Sequence, residues 1–355
     1  MKIRTLLVDA NYLLQRSLNG AKDTYTSKFG HIGGLYQFFT TVRKLIKDNK
    51  INKVILMWDG ENGGVYRYHV DSEYKANRKN KKWHKKIVMT DAEIKREKEK
   101  SESVLIQRKR IQAYAEELFI RQIEVNDIEA DDLIAEYCIQ HNNKEEIFLF
   151  TNDRDFAQLL DLDITIFFAD KKNGDAFIPI TRVNYFYQFN HHYTNAIVMK
   201  IIGGDTADNI KGIDGIKETT LLKYFPDMKF RYMPVREICE KADEINKNRI
   251  IDKKKPLKIF ENLLNNIQRL KTNYILINLK KPFLNEQAIE ELTQLEMPLS
   301  PDDRGSKNLY NMMMEDEFLT IYRSDFVSYV EPFYTVIMNE KQLLMEYNKN
   351  NKGKL

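Results

Sequence analysis

The sequence predicts an α/β protein whose mostly parallel sheet is flanked by helices. Three short apolar runs have the character of buried strands, and helical patterns of apolar residues lie between them. The strands are expected at 6–8, 54–58 and 147–150, and the helices at 32–48, 103–119 and 131–141. Continuous apolar strands that alternate with helices are typical of parallel sheets covered on both faces. Ligands of such sheets bind outside the carboxyl ends of the strands, so functional residues are expected there.

The composition is that of an ordinary soluble protein with a hydrophobic core. The 355 residues are 43% hydrophobic and 30% charged, and the net charge is +4, which leaves room for more than one domain. No apolar run approaches the roughly 18 residues of a membrane span, and the chain enters its first strand without a signal peptide. Cys138 and Cys239 are far apart in the sequence, which argues against a disulfide framework or a zinc site. We therefore expect a cytoplasmic protein.

Acidic residues follow each of the three predicted strands. Asp9 follows the first, Asp59 the second, and Asp153 and Asp155 the third. Because the carboxyl ends of parallel strands meet at one edge, these carboxylates are expected close together. An Asp after a strand is often only the N-cap of the next helix. N-capping alone does not explain why acidic residues follow all three predicted strands.

A further acidic cluster, Glu129-Ala130-Asp131-Asp132, stands directly before a predicted helix. Carboxylates this close repel one another, and a divalent metal or a group of cations is the usual compensation. The alternative is an acidic first turn, which favours a helix through its macrodipole. The two interpretations are compatible.

Residues 203–217 combine paired acids with a glycine turn. Asp205 and Asp208 are three apart, so one helical turn would point both the same way. Gly212 and Gly215 are spaced to expose backbone N–H groups ahead of a helix at 219–225, an arrangement that binds phosphate. The alternative is a plain packing corner between two helices.

Other segments give weaker predictions. Seven basic residues and no acidic one lie between Lys75 and Lys86, which indicates either a polyanion site or a solvated basic loop. A hairpin is predicted around 165–179 with its turn at Asn173-Gly174. A strand or extended strip is predicted at 273–279. Aromatic residues between 318 and 334 are expected to pack rather than bind.

Six motifs together resemble the 5′-nuclease (flap endonuclease) family, which includes the 5′–3′ exonuclease domain of bacterial DNA polymerase I and stand-alone phage enzymes. They occur in a fixed order over about residues 1–280: Asp9; Trp58-Asp59-Gly60; Tyr74-Lys75-Ala76-Asn77-Arg78; Glu129-Ala130-Asp131-Asp132; Thr151-Asn152-Asp153-Arg154-Asp155; and Gly204-Asp205-Thr206-Ala207-Asp208-Asn209-Ile210. The resemblance implies a PIN-like (resolvase-like) sheet in residues 1–180, with a helical arch at about 65–110. It also implies a duplex-binding helix-hairpin-helix (H3TH-type) subdomain at 181–285. A helical extension at 286–355 has no assigned role.

The resemblance also implies two divalent metal ions in one acidic pocket, Mg²⁺ with Mn²⁺ as a substitute. Ligands of the first ion would be Asp9, Asp59, Glu129 and Asp131, with Asp132 beside them. Asp153 would lie between the sites, and the second ion would be held by Asp155, Asp205 and Asp208. Carboxylates of this kind are the hard oxygen ligands that Mg²⁺ requires.

Nucleic-acid contacts follow from the same resemblance. Lys75 and Arg78 would hold the scissile phosphate, with Arg67 just before them, and Tyr74 and Trp83 would stack on unpaired bases. Duplex contacts would come from Lys200, Gly212, Gly215 and Lys217, with a K⁺ ion at the glycine turn. The chain departs from the family pattern at this turn, where Lys211, Asp214 and Lys217 replace two prolines and a glycine.

The implied function is 5′–3′ exonuclease and flap endonuclease activity, including RNase H activity, in DNA replication or repair. The expected partners are DNA with a 5′ flap, nick or primer, RNA–DNA hybrids and replication proteins, and the chain is expected to be a monomer that does not bind membranes. Two alternative functions are compatible with parts of this pattern. A PIN-type ribonuclease would lack the glycine turn and the basic arch, and a non-catalytic DNA-binding relative would lack some of the carboxylates.

Overall fold

The three apolar runs form strands, and each carries its acidic residue at or just after its carboxyl end. The computed structural model describes residues 2–20, 24–26, 28, 30–77, 90–170, 176–300, 304–322 and 325–351. Contacts within the chain divide it into two units. Unit 1 comprises Met1–Gly60, Ile87–Thr151 and Leu284–Leu355, and unit 2 comprises Glu61–Lys86 and Asn152–Phe283. The functional boundaries expected at residues 180 and 285 stay a prediction, because a division by contacts does not test them.

The elements of the described residues are numbered in chain order. The strands are β1 Arg4–Asp9, β2 Tyr25–Thr26, β3 Gly30–His31, β4 Lys53–Asp59, β5 Arg121–Val125, β6 Glu146–Phe150, β7 Thr165–Asp170, β8 Ala176–Ile180, β9 Gly204–Asp205 and β10 Ile210–Lys211. The helices are α1 Ala10–Gly20, α2 Gly33–Asn49, α3 Val65–Val70, α4 Asp91–Glu117, α5 Ala130–His141, α6 Tyr185–Phe189, α7 Ala196–Gly203, α8 Glu218–Tyr224, α9 Val235–Ile251, α10 Lys258–Asn265, α11 Ile267–Ile277, α12 Glu286–Gln294, α13 Ser306–Glu315, α14 Phe318–Tyr322, α15 Phe326–Val330 and α16 Tyr334–Asn351. Short 3₁₀ helices cover Arg154–Leu162, Tyr193–Asn195, Pro226–Lys229 and Glu331–Phe333.

Unit 1 is built on a parallel sheet in which the strands stand in the order β5, β4, β1, β6. Leu7 of β1 pairs with Ile55 of β4 on one side and with Leu149 of β6 on the other. These three side chains are fully buried, as expected for a parallel sheet covered on both faces. The α/β class and the helices predicted at 32–48 and 131–141 are confirmed.

The C-terminal helices belong to unit 1. Helix α12 packs against β5, α13 against α4, and α16 against β4. The guanidinium of Arg121 in β5 forms a buried ion pair with Glu340 of α16, with Nη2 2.6 Å from Oε2. Phe318 and Phe333 are completely buried, whereas Tyr334 is 39% exposed. Packing is therefore shown for Phe318 and Phe333, and for the segment as a whole the expectation stays a prediction.

Unit 2 consists of the β7–β8 hairpin and a helical part with its own core. The two strands are antiparallel, and the predicted turn at Asn173-Gly174 lies outside the described residues. The core brings together side chains from the segment before residue 77, from α7 and from α8 to α11. Its central residues include Ile202, Met228, Phe260 and Leu263, each at most 1% exposed.

Two local predictions in unit 2 are wrong. Residues 273–279 were expected to be extended, but α11 runs from Ile267 to Ile277. Asp205 and Asp208 were expected on one helical turn, but β9 and β10 form a tight antiparallel hairpin with Asp208 in its turn. Positive φ angles at Gly204 (77°) and Asn209 (59°) suit this hairpin and interrupt a helix.

Among the described residues, no helix combines the length and the apolar character that a membrane span requires.

Candidate metal and nucleic-acid site

Asp9 and Asp59 stand at the carboxyl ends of neighbouring parallel strands and are both held by hydrogen bonds. Asp9 caps α1, where its Oδ1 accepts from the backbone N–H of Tyr12 at 2.9 Å, and its Oδ2 accepts from the Thr151 hydroxyl at 3.2 Å. Oδ1 of Asp59 accepts from the backbone N–H of Ala130 at 2.8 Å. Asp59 therefore lies against the first residue of α5, beside the acidic cluster at 129–132.

The cluster at 129–132 is both a helix start and a group of carboxylates. Glu129 is the N-cap residue of α5, and Asp131 and Asp132 occupy its first turn, where negative charge favours the helix. Glu129 and Asp132 are buried, at 5% and 1% exposed, whereas Asp131 is half-buried. Unit 1 thus brings Asp59 and the 129–132 cluster together, as predicted.

Gly60 allows the end of β4 to lie close to the segment that leads into α5. A side chain at this position would place its Cβ only 1.7 Å from the carbonyl oxygen of Val125, at the end of β5. The backbone N–H of Gly60 instead donates to the carbonyl of Ile128 at 3.0 Å. The Trp58-Asp59-Gly60 motif therefore ties the end of β4 to the segment that leads into α5.

In unit 2, three predicted metal ligands surround the ammonium group of Lys200. The Nζ atom lies 2.7 Å from Oδ2 of Asp205 and 3.6 Å from Oδ1 of Asp153, and it also forms an ion pair with Asp155. The side chains of Lys200, Asp155 and Asp205 are 22%, 15% and 12% exposed. Lys200 was expected to contact duplex DNA, but its ammonium is engaged within this cluster instead.

Local turns orient these acids. Asp153 caps the 3₁₀ helix Arg154–Leu162 and accepts from the backbone N–H of Asp155 at 2.8 Å. Asp205 accepts from the backbone N–H of Ala207 at 2.8 Å inside the β9–β10 hairpin. Backbone donors therefore fix the carboxylates of Asp153 and Asp205.

The pKa shifts of the groups in this cluster reflect its strongly negative charge. Burial, and then the neighbouring Asp153, raise the pKa of Asp155 above its ordinary value, and Lys200 opposes this shift. Burial alone would lower the pKa of Lys200, but Asp155, Asp153 and Asp205 outweigh it and raise that pKa above its ordinary value. The pKa of Asp205 is lowered, because Lys200 and backbone donors outweigh the opposing effect of burial. The carboxylates thus require a compensating cation.

The segment that carries Lys75 is bound to the turn that carries Asp208. The backbone N–H of Lys75 donates to the carbonyl of Asp208 at 2.8 Å, and the Asn77 amide donates to the carbonyl of Thr206 at 2.8 Å. The Asn209 amide in turn donates to the carbonyl of Glu73 at 2.7 Å. These bonds hold Lys75 and Asp208 next to each other in unit 2.

The structure corrects two predicted nucleic-acid contacts. Arg67 is only 3% exposed, and its Nε donates to the carbonyl of Leu276 at 2.9 Å while its guanidinium lies over Phe283. Tyr74 is 7% exposed within the core of unit 2, with the Lys75 ammonium 4.9 Å from its ring centroid. Both side chains hold the fold together and present little surface to a ligand. Arg78 and Trp83 lie outside the described residues.

The glycine turn borders a polar cavity of about 490 Å³. Gly212 is required by close packing, because a Cβ there would lie 2.2 Å from the carbonyl carbon of Gly203. Gly215 has φ +83°, which favours glycine, and Lys217 is exposed at the N-cap of α8. The cavity is also lined by Arg269 of α11. Sequence reasoning missed Arg269, because only the packing of α11 brings it to this turn.

The donor chemistry of both units fits divalent cations. Carboxylate oxygens are hard ligands of the kind Mg²⁺ prefers, and the acids of both units are partly or fully buried. Within the described ranges, no three His, Cys, Asp or Glu side chains already stand together in metal-ligand geometry. In unit 2 the ammonium of Lys200 lies among the carboxylates, where it neutralises part of their charge.

Comparisons with known proteins identify the family of this chain. Residues 4–187, which are 184 of the 355, match the family described as 5′-3′ exonuclease, N-terminal resolvase-like domain. The chain is 25% identical to a 5′-3′ exonuclease of Mycoplasmopsis pulmonis over 84% of this chain and 95% of that protein. It is also 25% identical to DNA polymerase I of Bacillus subtilis, over 70% of this chain and 26% of the polymerase.

Solved structures show the same fold. Bacteriophage T5 5′-exonuclease with bound zinc superimposes with a TM-score of 0.58 at 20% identity, over 90% of this chain and 99% of the phage enzyme. The T5 flap endonuclease in a complex with DNA and metal ions gives a TM-score of 0.59 at 18% identity, over 88% and 99% of the two chains. On the strength of the family match, this chain belongs to the 5′–3′ exonuclease family.

Proposed function

We propose that this chain is a divalent-metal-dependent, structure-specific 5′ nuclease that hydrolyses phosphodiesters near the 5′ ends of flaps, nicks and RNA primers. As a member of a nuclease family, the chain hydrolyses phosphodiester bonds. The observation that carries the more specific proposal is the convergence of Asp153, Asp155 and Asp205 on one partly buried cation. Partly buried carboxylates this close together are stable only beside a compensating positive charge.

Two sets of carboxylates would hold the ions. In unit 1 the set is Asp9, Asp59, Glu129, Asp131 and Asp132, and in unit 2 it is Asp153, Asp155, Asp205 and Asp208. Bound divalent cations would supply Lewis-acid activation of the attacking water and charge stabilisation for the leaving oxygen. We propose Mg²⁺ as the working ion, with Mn²⁺ as a substitute, because every side chain in both sets offers only oxygen.

The residues of the chain contribute orientation and charge. Hydrogen bonds from Tyr12, Ala130 and Ala207 fix the carboxylates of Asp9, Asp59 and Asp205, which supports preorganised ligand geometry. Lys200 balances the unit 2 set while no divalent cation is bound. A divalent cation held by this set would compete with the Lys200 ammonium for the same carboxylates.

Substrate binding would use the two cationic features of unit 2. Lys75, held beside the Asp208 turn, would bind the phosphate that is cleaved, together with Arg78. The glycine turn would bind the backbone of the duplex through Gly212, Gly215 and Lys217, with Arg269 as a further contact. We extend the proposal to a K⁺ ion at this turn, to action on RNA–DNA hybrids, and to a monomeric cytoplasmic enzyme that works with replication proteins.

Cleavage of a 5′-labelled flap substrate in Mg²⁺ or EDTA tests the proposal. We expect short 5′ products only in Mg²⁺, and near-complete loss in Asp153→Asn, a change that removes charge but preserves the cap of the 3₁₀ helix. Asp163→Asn is the matched control, because Asp163 is 78% exposed and lies outside the cluster. Equal cleavage in EDTA, or full activity of Asp153→Asn, would refute the proposal.

A further inference from the structure

An apolar groove opens between α9 and α11 of unit 2, and none of the carboxylates of the candidate site lines it. It has a volume of about 600 Å³, within the range of protein ligand sites. Its floor is formed by the buried side chains of Ile201 and Leu270. Val235 and Cys239 form its α9 side. The enzyme's reaction as proposed above makes no use of this groove.

Helix α11 presents apolar side chains to solvent along this groove. Ile267, Tyr274 and Ile275 are 41%, 45% and 45% exposed, and with Lys271 they follow the i, i+4, i+7, i+8 spacing of one helix face. Other residues of the same helix, Leu270 among them, are buried in the core. This second apolar face lies beside the groove, so an apolar ligand in the groove would also contact it.

The charged residues around the groove indicate what kind of molecule would bind there. Lys271 and Arg236 line it, and the described lining residues include no carboxylate. Arg236 pairs with Glu240 at 2.7 Å, but both side chains are largely exposed, so this pair is weak and exchangeable. A ligand whose apolar side chains are flanked by carboxylates would complement both the apolar floor and the cationic rim of the groove.

Nucleic acid fits the groove poorly. The phosphates of a nucleic acid would find only these two cations, and the lining of the groove is mainly aliphatic. The glycine turn differs in this respect, since its cavity is lined by Asn262, Asn266 and Arg269. Arg269 and Lys271 are two residues apart on α11, so they point about 200° apart. A molecule in the groove would therefore leave the glycine turn open.

We propose that this groove docks a short acidic segment of a protein partner, with its apolar side chains between α9 and α11 and its carboxylates on Lys271 and Arg236. Such a contact would tether the nuclease to another protein without occupying its nucleic-acid surface. Peptide recognition in a groove through apolar anchors with flanking charge is a recurrent binding mode.

Two fluorescently labelled peptides provide the probe for the full-length protein. The acidic peptide is Asp-Leu-Asp-Glu-Leu-Phe-Asp-Leu, and its charge-reversed partner is Lys-Leu-Lys-Lys-Leu-Phe-Lys-Leu. Fluorescence polarisation should show saturable binding of the acidic peptide, at least about tenfold tighter than the basic one. Lys271→Glu should weaken the acidic peptide about tenfold or more, and Ile275→Glu should abolish its binding.

Arg269→Glu is the matched control, with the same charge change on the other side of the same helix, and it should leave peptide affinity within about twofold. Flap cleavage by the Lys271→Glu and Ile275→Glu proteins should remain at the wild-type rate. Equal binding of both peptides, no binding of the acidic peptide at about 1 mM, or no effect of Lys271→Glu would overturn the proposal. Self-association of the wild type that Ile275→Glu abolishes, seen by analytical ultracentrifugation, would also overturn it, because the occupant would then be a second copy.

Discussion

Replacing Lys200 by Met removes the positive charge that balances the unit 2 carboxylates while keeping a side chain of similar length. The Lys200 ammonium lies 2.7 Å from Asp205 and 3.6 Å from Asp153 and is also paired with Asp155. Removing one partner of a buried ion pair costs about 3–5 kcal/mol. Because Lys200 is 22% exposed, we expect about 3 kcal/mol, the lower end of that range.

The same change should strengthen divalent-cation binding. A unit charge at about 4 Å interacts by about 4 kcal/mol at an effective dielectric constant of about 20, and about 1.4 kcal/mol corresponds to a factor of ten. If solvent screening halves this repulsion between the Lys200 charge and the cation, its removal should still lower the Mg²⁺ dissociation constant by at least about tenfold. The variant should therefore be much less stable than the wild type in EDTA and only slightly less stable in saturating Mg²⁺.

Thermal unfolding in EDTA and in Mg²⁺, together with calorimetric titration of Mg²⁺, measures both effects. Lys258→Met is a suitable control, since Lys258 is an exposed residue of α10. An Lys200→Met protein with wild-type stability in EDTA and unchanged Mg²⁺ affinity would show that Lys200 does not balance the carboxylates.

Three further predictions concern other parts of the molecule. Lys75→Ala should slow flap cleavage far more than it weakens duplex binding in a filter assay; equal losses would contradict its proposed role at the cleaved phosphate. Gly212→Ala should impair folding, seen as lost α-helical circular dichroism, because its Cβ would collide with Gly203; a stable variant would refute the packing argument. Glu145→Leu should cost about 3–5 kcal/mol in urea unfolding, because the Lys53 ammonium, 6% exposed, would stay buried without its partner. The double variant Lys53→Met/Glu145→Leu should recover most of that loss, and a double variant as unstable as the single one would contradict this.

The parts of the fold that depend on local pattern were predictable from the sequence. The apolar runs at 6–8, 54–58 and 147–150 are short, continuous and followed by polar residues, which suits buried strands, and the acids after them therefore fall at the strand ends. Strand β5 was missed because Arg121–Val125 lacks the continuous apolar run by which the other parallel strands were identified. The Arg121 side chain in this strand is buried because Glu340, 219 positions later, pairs with it and the carbonyls of Leu295 and Met297 accept hydrogen bonds from its guanidinium.

Tertiary contacts decide the features that were predicted wrongly. The β-branched and aromatic residues at 273–279 suit a strand, but Asn273 is buried and donates to the carbonyls of Ile201 and Lys211, which holds α11 in a helical setting. Likewise, Arg67 and Tyr74 look like surface groups in the sequence, yet core packing in unit 2 covers both. Local propensity is a weak guide where long-range packing prevails.

For the candidate site, the sequence predicted the acidic residues but not the internal cation. Acids can be placed at strand ends from the strand pattern alone. The ion pairs of Lys200 need the packing of α7 against the 3₁₀ helix Arg154–Leu162, which are far apart in the sequence. A lysine in an apolar helix segment, Ile197 to Ile202, was the available signal, because an unpaired ammonium is rarely buried.

Single-turnover cleavage of a flap substrate in Mg²⁺ by Asp59→Asn, by Asp205→Asn and by the double variant tests the central claim most directly. If the carboxylates of units 1 and 2 serve one reaction, each single change should lower the rate by about a thousandfold or more, and the double change should lower it hardly further, because groups that act as a unit are not additive. Two results would contradict the account. One is near-normal activity of either single variant, and the other is a double variant whose fold-loss in rate equals the product of the two single losses.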